Sequence, residues 1–279
     1  MQLKLGKHSL SLDRPRIMGV LNVTPDSFSD GGEFLAADDA IRHAEVLVEA
    51  GADIVDVGGE STRPGAAEVS EAEEIDRVAP VIEAIAARFD VPVSVDTGKP
   101  GVMEAGVAAG AGMINDIYAL RLDGALDIAA SLDAAICLMH MQGMPSDMQK
   151  HPHYDRLPDD VIDFLAERLE ACMDAGMGVE RIVIDPGFGF GKNHDHNLRI
   201  LASLDQFSAL GRPILVGLSR KRTLGHITGR PVTERVAAGV AAAVMAYEKG
   251  AAIIRTHDVA ETVDALKVAE AVRAAGKQE

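Results

Sequence analysis

The alternation of strand-like and helix-like segments predicts an α/β fold, the (β/α)8 or TIM barrel. Eight short apolar runs, many of them β-branched, alternate with amphipathic stretches along the 279 residues. Such continuous runs are typical of parallel strands covered on both faces, and the length is near that of a barrel of this kind. The runs are residues 17–23, 54–57, 93–96, 113–117, 135–139, 182–185, 214–217 and 252–255. A doubly wound open sheet is the second interpretation.

Helix boundary signals separate these runs. Two segments have capping-box spacing at their start, Ser70-x-x-Glu73 and, less closely, Asp258-x-x-Glu261. Because a left-handed residue commonly ends a helix, glycine is informative directly before the next strand. Glycine stands there at three places, Gly51, Gly110 and Gly250. These signals support crossover helices between parallel strands.

The start of the chain predicts a short β-hairpin, with residues 3–5 and 9–12 on either side of Gly6 and Lys7. No linker rich in proline or serine interrupts the rest, and the composition does not shift along the chain. We therefore expect residues 1–279 to form a single domain.

The composition excludes several classes of function. The chain has 43 acidic and 27 basic side chains, a formal net charge of −16, which disfavours binding to nucleic acid or anionic membranes. The longest weakly polar run, residues 236–247, is short of the roughly 20 residues of a transmembrane helix, and the first residues do not resemble a secretory signal. Cys137 and Cys172 fit buried, reduced thiols. We expect a cytoplasmic protein that binds neither nucleic acid nor membrane.

A polar residue follows every predicted strand. An isolated one is usually a turn former or a helix cap, but capping alone does not explain a polar residue after each strand. Because the active site of a TIM barrel lies at the carboxyl ends of its strands, we expect these side chains to share a site. They are Asn22, Asp56, Asp96, Asn115, Asp116, His140, Asp185, residues 219–222 and residues 255–258.

The polar residues at the strand ends divide into two chemistries. Fixed donors and acceptors that suit the edge of a flat, nitrogen-rich heterocycle come from four residues, Asp96, Asn115, Asp185 and Lys221. Arg255 and His257 precede the last helix, where backbone N–H groups and the helix dipole favour an anion such as phosphate. Arg220 and Arg222 either add to this positive charge or form only a solvated loop.

A glycine-rich segment at residues 185–192 resembles a nucleotide-binding loop only superficially. A P-loop requires glycine at the position of Pro186 and serine or threonine at the position of Asn193. We interpret the segment as a flexible loop that lets Phe188 or Phe190 close over a ligand. A tight turn with buried aromatic rings is equally compatible with the sequence.

Two histidine pairs, His151-x-His153 and His194-x-His196, raise the alternative of a metal-dependent hydrolase. Both pairs lie in polar segments away from the strand ends that would fix the coordination geometry. We therefore interpret all four as surface histidines.

Two long blocks carry a family resemblance. MGVLNVTPDSFSDGG at residues 18–32 and DVGGESTRPG at residues 56–65 resemble the leading signatures of the dihydropteroate synthase family of the folate pathway. Shorter blocks similar to that family follow in the same order, so the resemblance covers almost the whole chain. They are VSVDT at 93–97, INDI at 114–117, HMQG at 140–143, DPGFGFGK at 185–192, GLSRKR at 217–222 and RTHD at 255–258.

The resemblance implies a TIM barrel, usually a homodimer, that uses Mg2+ and two small-molecule substrates. The implied reaction joins 4-aminobenzoate to (7,8-dihydropterin-6-yl)methyl diphosphate by dissociative substitution, giving 7,8-dihydropteroate and diphosphate. The implied pterin ligands are Asp96, Asn115, Asp185 and Lys221. The implied diphosphate ligands are Asn22, Arg255 and His257, and Asn22 also binds the metal. These three residues and Lys221 form the implied catalytic set. The implied aminobenzoate side and loops comprise Phe28, Thr62, Arg63, Pro64, Phe190, Lys221 and Ser219.

One position departs from the family pattern, and a second is variable within the family. Gly98 stands where relatives often carry a side chain, and Arg222 stands where they carry serine or arginine, which affects the predicted loop contacts and the anchoring of aminobenzoate. Two other functions stay open: a pterin-binding paralogue without catalysis, and a methyltetrahydrofolate:corrinoid methyltransferase. The methyltransferase would not need the predicted diphosphate residues.

Overall fold

The computed structural model describes residues 1–24, 33–61 and 68–276, and it begins with the predicted hairpin. Strand β1 (Gln2–Leu5) pairs antiparallel with β2 (His8–Ser11). Leu3 and Leu5 are fully buried and pack against side chains inside the barrel, including Met18 and Ile253. A Cβ atom on Gly112 would lie 2.3 Å from the carbonyl oxygen of Leu5, so only glycine permits this close approach. The hairpin closes the amino-terminal end of the barrel.

Eight parallel strands form a closed barrel, which confirms the predicted (β/α)8 fold and excludes the open sheet. Pairing between the last and first barrel strands completes the closure, with Ile254 opposite Ile17. The strands are β3 (Arg16–Asn22), β4 (Ile54–Gly58), β5 (Val93–Asp96), β6 (Met113–Asp116), β7 (Ala135–Met139), β8 (Ile182–Asp185), β9 (Ile214–Gly217) and β10 (Ala251–Thr256).

Helices connect the strands and cover the outside of the barrel. The crossover after β9 contains two α-helices, and each of the other crossovers contains one α-helix in the described residues. Buried valine, isoleucine, leucine and alanine side chains pack between helices and strands. The helices are α1 (Glu33–Glu49), α2 (Glu71–Arg88), α3 (Pro100–Ala108), α4 (Ala125–Ser131), α5 (Asp159–Asp174), α6 (His194–Ala202), α7 (Arg222–Thr228), α8 (Val236–Glu248) and α9 (Val259–Ala275). Across residues 1–24, 33–61 and 68–276, none of them combines the length and apolarity needed to span a bilayer.

Most of the predicted helix boundaries are confirmed. The Ser70 hydroxyl accepts a hydrogen bond from the Glu73 N–H at 3.3 Å and caps α2. Left-handed glycines end helices as predicted, with φ of 99°, 114° and 96° at Gly51, Gly110 and Gly250. The predicted capping box at Asp258 is wrong: the Asp258 side chain makes no cap hydrogen bond to α9, because its carboxylate is bound elsewhere.

Strand β6 ends at Asp116, one residue before the predicted end. The Asp116 carboxylate accepts hydrogen bonds from the N–H groups of Tyr118 at 2.7 Å and Leu120 at 2.6 Å. These bonds turn the chain at once, and Ala119 and Leu120 adopt positive φ in the turn. The local carboxylate therefore overrides the continuing apolar run.

Candidate active site

The polar strand ends meet at the end of the barrel opposite the hairpin. Arg255 on β10 lies at the centre of this site, where its Nε is 2.6 Å from Asp56 Oδ2 and its Nη2 is 2.6 Å from Asp96 Oδ2. The Asn115 side-chain amide donates to the same Asp56 oxygen at 3.1 Å. Asp56 is fully buried, so Arg255 supplies its compensating charge. Strands β4, β5, β6 and β10 thus hold one connected polar network.

This network has more acidic than basic groups, since one guanidinium contacts two carboxylates. Burial raises the pKa of Asp96, Arg255 opposes that rise, and the negative charge of Asp56 adds to it. The second oxygen of Asp56, Oδ1, is buried and has no hydrogen-bond partner among the residues that the structure describes. A buried acceptor without a partner is costly, so the site favours a ligand or water that brings N–H or O–H donors.

Asp185 and Lys221 form the neighbouring part of the site. Asp185 ends β8, is buried, and accepts a hydrogen bond from the Gly187 N–H at 2.7 Å. Burial raises the pKa of Asp185 to about 6, while the Gly187 hydrogen bond and then Lys221 oppose the rise. Burial and the charge of Arg255 lower the pKa of Lys221 to about 8. The Lys221 ammonium lies 4.2 Å from the centroid of the Phe190 ring, in cation–π contact.

A second network lies between the segment after β9 and the start of α9. The Ser219 hydroxyl is 3.2 Å from Asp258 Oδ2 and 3.1 Å from His257 Nδ1, and Arg220 pairs with Asp258 at 2.5 Å. Because the Asp258 carboxylate only accepts, Ser219 donates to it and His257 Nδ1 donates to Ser219. This carboxylate is the one predicted to cap α9, and it instead fixes Ser219 and Arg220.

His257 is uncharged in this network at neutral pH. Burial lowers the pKa of His257 to about 4, and the positive charges of Arg255 and Arg220 contribute to the shift. With its proton on Nδ1, the neutral ring keeps Nε2 as an acceptor. The positive groups at this edge are therefore Lys221 together with Arg255 and Arg220, which are both paired with carboxylates. His257 gains charge only when an anion raises its pKa.

The glycine-rich segment after β8 is a hydrogen-bonded turn, which favours the tight-turn interpretation over a loop that closes over a ligand. Its peptide groups are bound by side chains from neighbouring elements: the Gly189 carbonyl accepts from Gln149 at 2.6 Å, and the Gly191 carbonyl accepts from Tyr154 at 2.7 Å. Phe188 is only 4% exposed and packs in the core, so it does not close over a ligand. Phe190 is half-buried beneath Lys221.

The other predicted site residues have different outcomes. Asn22 is half-buried at the carboxyl end of β3, which is the end of the barrel where the site was predicted. Ser219 lies with His257, so its predicted contact with aminobenzoate stays a prediction. Arg222 is exposed on α7 and Arg220 is held by Asp258. Four predicted residues lie outside the described residues, namely Phe28, Thr62, Arg63 and Pro64.

Gly98 has a physical explanation in the structure. A Cβ atom at Gly98 would lie 2.3 Å from Cδ2 of Tyr118, because the Tyr118 ring fills the space that a side chain would need. Tyr118 follows directly after the carboxylate turn at Asp116. The departure at position 98 is therefore matched by the aromatic residue at position 118.

The histidine pairs differ in exposure. His151 and His153 are exposed, as predicted. His194 and His196 are also at the surface but half-buried, because His194 stacks on His226 at 4.0 Å and His196 joins the capping box of α6. In the described part of the chain, no three His, Cys, Asp or Glu side chains cluster as metal ligands.

The sequence predicts Asp56 at the shared site without a specific contact, and it assigns no role to Lys192. Asp56 interrupts an apolar strand, and a carboxylate in such a run is a signal for a paired, buried charge. Lys192 is only 2% exposed although it follows a glycine-rich turn, where a solvated lysine is the usual case. Nothing in the local sequence marks it as buried.

The mouth of the closed barrel thus brings together the donors and acceptors that were predicted to suit a flat heterocycle and an anion. A family model described as "Pterin binding enzyme" matches residues 18–257, which is most of the chain. The class is therefore that of the pterin-binding barrel enzymes.

Individual relatives agree closely with this class. The dihydropteroate synthase of Escherichia coli strain K12 is 51% identical over 267 residues, 96% of this chain and 95% of the relative. A solved Xanthomonas albilineans dihydropteroate synthase with 4-aminobenzoic acid has a TM-score of 0.93 and 53% identity, covering 98% of both chains. Another, with 7,8-dihydropteroate, has a TM-score of 0.90 and 50% identity, covering 98% of this chain and 99% of that one. The chain belongs to the dihydropteroate synthase family of transferases.

Proposed function

We propose that this chain joins 4-aminobenzoate to (7,8-dihydropterin-6-yl)methyl diphosphate and releases 7,8-dihydropteroate and diphosphate. The observation that carries the proposal is the juxtaposition of buried Asp185 and Asn115 with Lys221 and Arg255 at one barrel mouth. The relatives with bound 4-aminobenzoic acid and bound 7,8-dihydropteroate support both ends of the reaction.

The pterin fits the donors and acceptors of the site. A pterin carries N–H and amino donors along one edge, with a ring carbonyl and ring nitrogens as acceptors nearby. The Asp185 carboxylate accepts from the donors, and Lys221 donates to an acceptor. The Asn115 amide nitrogen is occupied by Asp56, which orients the remaining Asn115 oxygen as an acceptor. Opposite charges on Asp185 and Lys221 therefore match the two sides of the ring.

The diphosphate leaves more easily once its charge is neutralised. Arg255 and Lys221 supply positive charge at the pterin edge, and the His257 Nε2 takes up a proton when the anion raises its pKa. As the C–O bond lengthens, the positive charge at the methylene spreads into the dihydropterin ring. The arylamine is already neutral and needs no strong base. The side chains thus act by positioning and electrostatics.

Mg2+ fits this site through a small donor set. Mg2+ keeps several waters and is commonly held by one or two protein oxygens together with substrate phosphates. Asn22, at the end of β3, offers one such oxygen, and no acidic cluster within the described residues competes for the ion. When bound, Mg2+ would neutralise and orient the diphosphate oxygens. We expect it to bind with the diphosphate and weakly to the free protein.

The decisive experiment measures diphosphate release from the pterin diphosphate with Mg2+, with and without 4-aminobenzoate, and identifies the product by mass. Release that depends on aminobenzoate, with 7,8-dihydropteroate formed, supports the proposal. Pterin binding without turnover would indicate the non-catalytic paralogue, and methyl transfer from methyltetrahydrofolate would indicate the corrinoid enzyme. Either result would overturn the synthase function.

Replacing Asn22 by alanine is expected to raise the Mg2+ concentration needed for half-maximal diphosphate binding about tenfold, because the ion loses its protein oxygen. Calorimetric titration of diphosphate at several Mg2+ concentrations measures the change. Asn22→Asp, which keeps an oxygen, is expected to bind Mg2+ at least as well as the wild type. Equal Mg2+ dependence in Asn22→Ala and the wild type would remove Asn22 from the metal site.

Pterin affinity is expected to peak between about pH 6 and pH 8. Asp185 must be ionised to accept from the pterin, so affinity falls as the pH drops below its pKa of about 6. Lys221 must be protonated to donate, so affinity falls as the pH rises above its pKa of about 8. Titration with 6-hydroxymethyl-7,8-dihydropterin avoids phosphate ionisation, and an affinity that is constant from pH 5 to 9 would contradict both assignments.

We also propose a homodimer formed through the outer face of α7, α8 and α9. Large apolar side chains are exposed there, including Ile227 at 55%, Met245 at 59%, Val268 at 65% and Val272 at 69%. Exposed large apolar side chains gathered on neighbouring helices typically mark an interaction site. Light scattering after size exclusion is expected to give twice the 29.4 kDa chain mass, and Val268→Lys to give a monomer. A monomeric wild type would contradict the proposal.

We propose that the reaction takes place in the cytoplasm. Cys137 and Cys172 are both free and buried, a state that a reducing compartment maintains. Cell fractionation with an antibody to the chain tests this assignment, and recovery in an extracytoplasmic fraction would overturn it.

A further inference from the structure

Lys192 is a fully enclosed ammonium group that the proposed reaction does not use. It is 2% exposed, and its Nζ lies 2.8 Å from His140 Nδ1, 3.0 Å from the Gly187 carbonyl and 3.1 Å from the Phe190 carbonyl. Within the described residues, no carboxylate lies within ion-pair distance of it. The lysine therefore has three hydrogen-bond partners and no direct counter-ion.

The three partners fix the protonation state of His140. When Lys192 is protonated, its ammonium group has three donors and no acceptor, so His140 Nδ1 accepts and the imidazole is neutral. Burial, followed by the charge of Lys192, holds the pKa of His140 well below its usual range, in agreement with this assignment. The ring is also enclosed by Phe164, edge-on at 4.8 Å, and by Tyr154 at 5.9 Å. His140 thus presents a fixed acceptor.

Lys192 contacts two peptides of the glycine-rich turn, and both lead to the pterin site. The Gly187 carbonyl binds Lys192 while the Gly187 N–H binds the Asp185 carboxylate. The Phe190 carbonyl binds Lys192 while the Phe190 ring supports the Lys221 ammonium. Lys192 thereby binds both of the peptides that contact the charged groups proposed to hold the pterin, which are Asp185 and Lys221.

A purely structural role explains this lysine poorly. Enclosing an ammonium group is costly, and well-packed apolar side chains often replace buried charges without loss of stability. Burial lowers the pKa of Lys192 to about 7, and Lys221 lowers it further while Asp185 opposes the shift. What an apolar residue cannot supply is the set of three directed donors that holds the turn.

We propose that Lys192, bound to His140, is a positioning residue that holds the turn at residues 187–190 so that Asp185 and Lys221 keep the spacing needed for the pterin. This proposal rests on the proposed function, because the pterin is the ligand whose contacts it maintains. The expected consequence is a defect in pterin binding that exceeds any defect in stability.

The test compares Lys192→Met with a matched control at the other end of the barrel. Arg181, which is half-buried, is also a cation that donates to backbone carbonyls, at 2.9 Å from its Nε to Ala134 O. In Lys192→Met, the Kd for the dihydropterin diphosphate and its KM are expected to rise about tenfold, as for the loss of a buried hydrogen-bond anchor. In Arg181→Met, the Kd is expected to stay unchanged even where the Tm falls.

Variants at His140 test the hydrogen bond itself, and they apply even if Lys192→Met fails to fold. Asparagine can offer an acceptor where Nδ1 stands, whereas leucine cannot. His140→Asn is therefore expected to bind the pterin nearly as well as the wild type, and His140→Leu about tenfold more weakly. Combining His140→Leu with Lys192→Met is expected to add little, because both remove one interaction.

Two results would overturn the proposal: a wild-type Kd in folded Lys192→Met, or equal Kd values in His140→Asn and His140→Leu. A wild-type protein that neither binds the pterin diphosphate nor forms dihydropteroate would instead overturn the proposed function. The wild-type titration and product assay therefore separate the two failures.

Discussion

Replacing Asp185 by asparagine is expected to weaken pterin binding at least about 100-fold while stabilising the folded protein. The carboxylate accepts from ligand N–H groups, whereas asparagine presents an amide N–H toward one of them. Losing charge-assisted hydrogen bonds and leaving a donor opposed by a donor together cost about 3 kcal/mol. Titration of the dihydropterin diphosphate into Asp185→Asn at pH 7.5 measures the loss.

The gain in stability follows from the raised pKa of Asp185, about 6 against an ordinary 3.8. The folded state binds this proton more tightly than the unfolded state, so ionising Asp185 above pH 6 lowers the free energy of unfolding by about 3 kcal/mol. Asparagine avoids that cost, although Lys221 then loses a favourable neighbour and the gain is reduced. The stabilisation is therefore expected at pH 8 and is expected to vanish below about pH 4.

Urea unfolding at pH 8 and at pH 4 measures this pH dependence, with the exposed residue Asp123 as control. Asp123→Asn is expected to change neither the pterin Kd nor the free energy of unfolding by more than about 0.5 kcal/mol. Retained pterin affinity in Asp185→Asn would remove Asp185 from the site. A stability change that is equal at both pH values would show that burial does not raise the pKa of Asp185.

The sequence predicted the barrel and the position of its site because both follow from local patterns. Apolar runs of strand length, separated by helical periodicity, leave few alternatives to parallel strands covered by helices. Asp96, Asn115 and Asp185 could then be assigned to one mouth, since parallel strands end at the same edge. Residue type and strand position were sufficient, without knowledge of any side-chain contact.

The contacts inside the site could not be predicted in this way. Arg255 is 199 residues from Asp56 and 159 residues from Asp96 along the chain, and only the closure of the barrel brings them together. Asp258 has the spacing of a helix cap, yet it binds Arg220 and Ser219 because those groups reach it from the segment after β9. Local spacing does not report which distant partner competes for a carboxylate.

Replacing Arg255 by methionine is expected to cause the largest combined loss of stability and activity. Asp56 and Asp96 lose their shared guanidinium, and removing one partner of a buried ion pair typically costs 3–5 kcal/mol. Protonation of Asp96, whose pKa is already raised, relieves part of this cost at neutral pH. The kcat/KM is expected to fall at least about 1000-fold, because the anion also loses its cation.

The geometry of Arg255 predicts which substitutions can restore stability and which cannot. Arg255→Lys is expected to remain impaired, because one ammonium cannot reproduce the fork that reaches both Asp56 and Asp96. Adding Asp56→Asn to Arg255→Met is expected to recover stability without activity, since it removes the uncompensated buried charge. Arg14→Met removes an exposed guanidinium from Asp53, which keeps its pair with Arg16; it serves as control and is expected to cost at most about 1 kcal/mol. Equal losses of stability in Arg255→Met and Arg14→Met would show that the network of Arg255, Asp56 and Asp96 is solvated. That result would contradict a buried pterin site.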